Sequence, residues 1–110
     1  MSPLRSLLPL SVLFSGLLSS AVVFAQQGQS IEQYQAAAAA YQSGNFAAAE
    51  KLWSKLADQG NANAQYAMGI MHLKKEAQNA RDQTAFRYLI EAAKNRHVAA
   101  MFNLGVAYWE

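Results

Sequence analysis

Cysteine is absent from the 110-residue chain, so disulfides, thiolate metal sites and thiol nucleophiles are excluded. A lipid-modified N-terminal cysteine is excluded with them. Other absences narrow the chemistry further. No Gly-x-Ser-x-Gly elbow and no glycine-rich phosphate loop occurs, so neither of those routes to catalysis is available. The seven acidic residues are scattered, and no pair is spaced for proton transfer or glycoside chemistry. The two histidines, His72 and His97, are 25 positions apart with no carboxylate at ligand spacing. His72 reads as a packed residue near a helix end and His97 as an ordinary polar turn residue. No enzymatic activity, cofactor or metal is expected. Excess charge is missing too: beyond Arg5, eight Lys and Arg face seven Asp and Glu. The basic character of the whole chain is therefore no nucleic-acid footprint.

What is present begins with a secretory pattern. Arg5 supplies a positive start, Leu7–Leu18 is apolar, and Val23-Phe24-Ala25 offers a small-residue cleavage site. Residues 1–25 are expected to be a signal peptide cleaved after Ala25, giving a periplasmic or secreted product with no membrane attachment. The alternative is an uncleaved anchor, which Pro9, Gly16 and the interspersed serines weaken. Residues 26–110 then form one small domain that rests on apolar packing alone.

A self-similar period organises that domain. Sliding Ala49–His72 by 36 positions superposes Ala49 on Ala85, Trp53 on Leu89, Ala57 on Ala93, Ala64 on Ala100 and Gly69 on Gly105. A period of this size marks stacked helix hairpins. The expected fold is all-α: antiparallel helix-hairpin repeats stacked as a short right-handed α-solenoid of about five helices. Ser30 and Gln33 fit a capping box for helix one, which runs to about Tyr41 through the alanine run 36–40. Gly44 and Asn45 suit a helix end followed by a new N-cap. Helix two, Phe46–Gln59, presents Phe46, Ala49, Trp53, Leu56 and Ala57 on one stripe. Helix three, about Ala62–Lys75, presents Ala64, Ala67, Met68 and Met71, and its mid-helix Gly69 implies a close helix crossing. After a polar connector, Glu76–Arg81, Asp82 is expected to cap helix four, Gln83–Asn95, with Ala85, Phe86, Leu89, Ala92 and Ala93 inward. Helix five, Val98–Glu110, is expected to turn Met101, Leu104, Gly105 and Tyr108 inward, so that Gly105→Leu would overpack a crossing.

These residues resemble the Sel1-like repeat family, longer relatives of tetratricopeptide repeats. Leu104-Gly105-Val106-Ala107-Tyr108, preceded by Ala100, matches the family's first-helix motif. Asp82-Gln83-Thr84-Ala85 with Tyr88-Leu89 and Ala92-Ala93 matches the second helix. Met68-Gly69-Ile70-Met71-His72 is a looser copy, and Glu76–Arg81 departs from the usual Gly-x-Gly. The resemblance implies about two and a half repeats, unfinished after helix five. Either further chain follows, or a partner or second copy covers that helix.

Registering the first helices of the repeats aligns Tyr34, Tyr66 and Phe102, and also Tyr41, Leu73 and Trp109. In the resembled family this side faces a concave groove, which suits an extended or helical peptide. Asn63 and Asn103 would add hydrogen bonds. The same aromatics could equally be core between repeats. The expected function is an exported scaffold that binds a protein or peptide partner, regulatory in the bacterial envelope, with homo-association through helix five as a further possibility. The competing readings are a larger envelope enzyme or ligand-binding protein whose active part lies beyond Glu110, and a spacer with an empty groove.

Overall fold

The structure, a computed structural model, describes residues 28–109 except the side chains of Ala107 and Tyr108. The packing described below belongs to the unit that begins at Glu32. The signal segment 1–25 and the inward placement of Tyr108 lie outside the described residues.

Helices account for all regular structure among the described residues. Helix α1 covers 28–42, followed by α2 (Phe46–Asp58), α3 (Ala62–Leu73), α4 (Asp82–Lys94) and α5 (Val98–Trp109). Each of α2 to α4 packs on its successor in sequence.

The helix ends explain why the chain breaks where it does. Gly44, Gly60, Lys75 and Arg96 all lie in the left-handed region, at φ 85°, 90°, 60° and 66°. At each, two backbone bonds close the preceding helix. Gly44 N–H donates to Tyr41 and Asn45 N–H to Ala40; the same pattern joins Gly60 and Asn61 to Ala57 and Leu56. It recurs at Lys75 and Glu76 with His72 and Met71, and at Arg96 and His97 with Ala93 and Ala92. These are Schellman ends, which satisfy carbonyls that a helix terminus leaves free. Glycine holds the position without penalty at the first two ends. Lys75 and Arg96 hold it at a cost, because a Cβ crowds the left-handed conformation.

The starts are capped by side chains. Asn45 Oδ1 accepts from Ala48 N–H at 3.2 Å and Asn61 Oδ1 from Ala64 N–H at 2.9 Å. Two expected caps are corrected. Residues 28–30 are already helical, so Ser30 and Gln33 form no capping box there. Asp82 is the first residue inside α4 rather than its cap. The extended Arg81 stands before it, with no side-chain cap bond, and its carbonyl accepts the first helical N–H, from Ala85. Asp82 still favours the helix start by charge and pairs with Lys75 at 2.7 Å, an exposed contact of little energetic weight.

Two apolar clusters result. The first gathers Ala37 of α1, Ala49, Trp53 and Leu56 of α2, and Ala64, Met68 and Met71 of α3. Ala77, in the supposedly polar connector, is buried there as well. That connector is fastened by Glu76, which accepts from Tyr41 Oη, and by Gln78 N–H, which donates to Glu50 Oε2 at 2.9 Å. Asn79, at φ 54°, takes a left-handed turn in place of the missing glycines. The second cluster gathers Leu89 and Ala92 of α4 with Ala100 and Leu104 of α5.

The mid-helix glycine of α3 behaves as its sequence position implies. A Cβ added at Gly69 would lie 2.8 Å from Leu89 Cγ and Cδ2 and 3.2 Å from the Ala85 carbonyl oxygen. Its 36-residue counterpart does not. Gly105 is exposed and a Cβ there would meet nothing within 4 Å. Met101 is 53% exposed, and Phe86, expected inside α4, is 37% exposed. The reason is geometric: α5 turns Ala100 and Leu104 toward α4, and at 100° per residue Met101 and Gly105 then point away.

Candidate partner-binding surface

α5 contains no charged residue between Val98 and Trp109, and it is apolar on two sides. Ala100 and Leu104 supply the side packed on α4. Val98, Met101, Phe102, Gly105, Val106 and Trp109 recur at helical spacing on the other. That second side is open: Val98 is 78%, Phe102 69%, Val106 41% and Trp109 90% exposed. Phe102, Gly105, Val106 and Trp109 line a shallow, almost wholly apolar depression of about 400 Å³. A contiguous apolar surface of this kind is what interaction sites present, whereas scattered exposed hydrophobics need no explanation.

The eight residues expected to line a groove separate into three groups. Tyr34 and Tyr41 are half-buried and pack against the first core. Their rings lie 5.8 and 5.6 Å from that of Trp53, and Tyr41 is also 5.1 Å from Phe46. The Tyr41 hydroxyl donates to Glu76 at 2.8 and 2.9 Å. Burial and then this carboxylate raise its pKa, so it remains a donor. Tyr66 is half-buried against the second cluster and accepts from Asn103 Nδ2 at 3.1 Å. Asn63, Leu73, Phe102 and Trp109 are exposed. The structure therefore brings Tyr66 together with Asn103, and Phe102 with Trp109, while Tyr34 and Tyr41 are committed to packing. Val98, Met101, Gly105 and Val106 were the members of the exposed surface that sequence reasoning missed. The overlay of Gly105 on Gly69 marks a side suited to a close crossing, but in a helix apolar on both sides it does not tell whether that side is covered.

The histidines also have defined work. His97 stands before α5 where Asn61 stands before α3, 36 residues earlier. Its Nδ1 accepts from Ala100 N–H at 3.2 Å, and its ring stacks on Tyr66 at 4.4 Å. His72, 6% exposed, accepts from Arg81 N–H through Nδ1 at 3.3 Å and stacks on Tyr88 at 5.8 Å. Protonation of Nδ1 would turn either acceptor into a donor aimed at another donor. Burial holds both imidazoles below the ordinary histidine value. At His72 Glu50 opposes the shift while Arg87 and Lys75 add to it.

These shifts make stability pH-dependent. With folded pKa values depressed, the unfolded chain binds protons first as pH falls, so stability declines below about 6.5 and levels off beneath the folded values. Thermal melts between about pH 7.5 and 5.5 should show this decline, and His72→Gln with His97→Asn should flatten it. An unchanged slope in the double variant would assign the effect to other groups.

Elsewhere, Gln65 is buried and satisfied. Its Nε2 donates to the Ala57 carbonyl at 3.2 Å and its Oε1 accepts from Asn95 Nδ2 at 2.9 Å. Among the described residues no three His, Asp or Glu side chains are grouped to hold a metal ion. No described helix is long and apolar enough to cross a membrane. In comparisons with known proteins, no family model, no curated protein and no solved structure matches the chain.

Proposed function

We propose that the chain is a helical-repeat scaffold, exported to the bacterial envelope, that binds another protein through the open side of α5. The observation that carries this reading is the uncharged apolar surface centred on Phe102, Gly105 and Trp109. The 36-residue period, the matching Schellman ends and the motif Leu104-Gly105-Val106-Ala107-Tyr108 support an arrangement like the Sel1-like and tetratricopeptide solenoids. The leader pattern of residues 1–25 supports export. Tyr66 and Asn103 fix the base of the surface rather than contact the partner, and Asn63 and Leu73 remain candidates at its margin. Fold alone does not determine function, so the weight rests on the surface.

Affinity capture from envelope extract tests it. Phe102→Glu with Trp109→Glu should abolish capture of the partner retained by the wild type, with helicity unchanged by circular dichroism because both side chains already face solvent. Undiminished capture would remove α5 from the interface.

A further inference from the structure

Resting on the reading of α5 as a binding surface, we infer the kind of partner: an amphipathic helix carrying an Ala-x-x-x-Leu stripe, seated with its leucine over Gly105. The basis is an interface the chain already contains. α3 and α5 superpose at an offset of 36, which places Phe102 on Tyr66, Gly105 on Gly69 and Val106 on Ile70. On α3 this side is covered around Gly69. Leu89 of α4 occupies the space a Gly69 side chain would fill, and the Ala85 backbone approaches one turn earlier. Ala85 and Leu89 are 0% and 1% exposed as a result. α5 repeats the glycine and the flanking apolar residues, and the space above Gly105 is empty to 4 Å. The absent Cβ is of no use to α5 by itself, since a mid-helix glycine weakens a helix relative to alanine. It becomes useful when another helix approaches closely.

A second copy of the chain fits less well. Its Ala85 and Leu89 are sealed in its own core, so the helix that fits this site is not free to leave it. A twofold contact of two α5 helices centred on Gly105 would set Gly105 against Gly105, two indentations without a knob. A lipid surface also fits less well, because helices that lie on membranes carry Lys and Arg on their polar side, and α5 has no charged residue.

The test uses the full chain and a fluorescently labelled peptide copying Asp82–Asn95, the helix known to fit the equivalent site. Fluorescence polarisation should show saturable binding, weak because an isolated peptide of this length is mostly unfolded. Gly105→Leu, whose added Cβ meets nothing within 4 Å in the free protein, should weaken binding by at least about tenfold by filling the leucine's seat. Replacing the peptide's leucine, Leu89→Glu, should do the same. Binding that is indifferent to Gly105→Leu overturns the proposal. So does a concentration-dependent mass in sedimentation that Gly105→Leu abolishes, which would identify a second copy as the occupant, and so does wild-type binding to lipid vesicles in place of the peptide. If the peptide fails while capture remains sensitive to Phe102→Glu and Trp109→Glu, the helical partner is wrong and the binding surface stands. If both fail, the surface reading falls as well.

Discussion

Leu89→Ala should be the most damaging single truncation in the protein, costing about 2–5 kcal/mol. Leu89 is 1% exposed and serves two neighbours at once. It fills the space over Gly69 on α3 and joins Ala92, Ala100 and Leu104 in the cluster that holds α5. A truncated side chain here leaves a cavity whose lining includes Gly69, Ala92 and Ala100, which have no longer side chains with which to fill it. A domain of this size carries only about 4–13 kcal/mol in total. Chemical denaturation of the variant should therefore show a large fall in midpoint, with α5 the helix least well held. A change below about 1 kcal/mol would mean that Leu89 is not the shared contact.

Gly69→Leu attacks the same contact from the opposite side. The first atom of the new side chain already lies 2.8 Å from Leu89, and the Ala85 carbonyl at 3.2 Å bars escape toward the backbone of α4. A lone methyl could be met by a small shift of the leucine. A full leucine requires α3 and α4 to separate. The expected cost is about 1–3 kcal/mol, even though leucine is the better helix former by several tenths of a kcal/mol. For a domain this small, each kcal/mol lowers the melting temperature by roughly 4–8 °C. The two substitutions should not add: in Gly69→Leu with Leu89→Ala the new leucine enters the vacated volume, and the double variant should recover part of the loss.

Much of this architecture was legible in the sequence because the buried stripes of α2 and α3 follow their spacing. Asn45 is a cap in the structure as in the sequence, and Ala49, Trp53, Leu56 and Ala57 on α2 and Ala64, Ala67, Met68 and Met71 on α3 are buried as their spacing implied. Gly69 sits at the close crossing its position suggested. The pattern failed at α5 for a physical reason. A helix apolar on both sides gives no periodic signal for which side faces the core, so the pattern places Met101 and Gly105 inward beside Leu104, whereas Ala100 joins Leu104 there. Asp82 was read as a cap by residue type, whereas the extended backbone at Arg81 starts the helix one position earlier. Tyr34 and Tyr41 share a side of α1 with the register expected of a groove, and the structure sets both rings against Trp53. The proposed surface reduces accordingly from two columns of aromatics to one helix.

The central claim is that α5 presents, open, the same side that α3 keeps covered. The direct measurement is thermal melting of Gly69→Leu and Gly105→Leu side by side, one substitution made 36 residues apart. Gly69→Leu should lower the melting temperature, and Gly105→Leu, with open space around its Cβ, should leave it unchanged or raise it through helix propensity. A comparable loss in both variants would show that Gly105 is packed in the free protein, and would contradict the account.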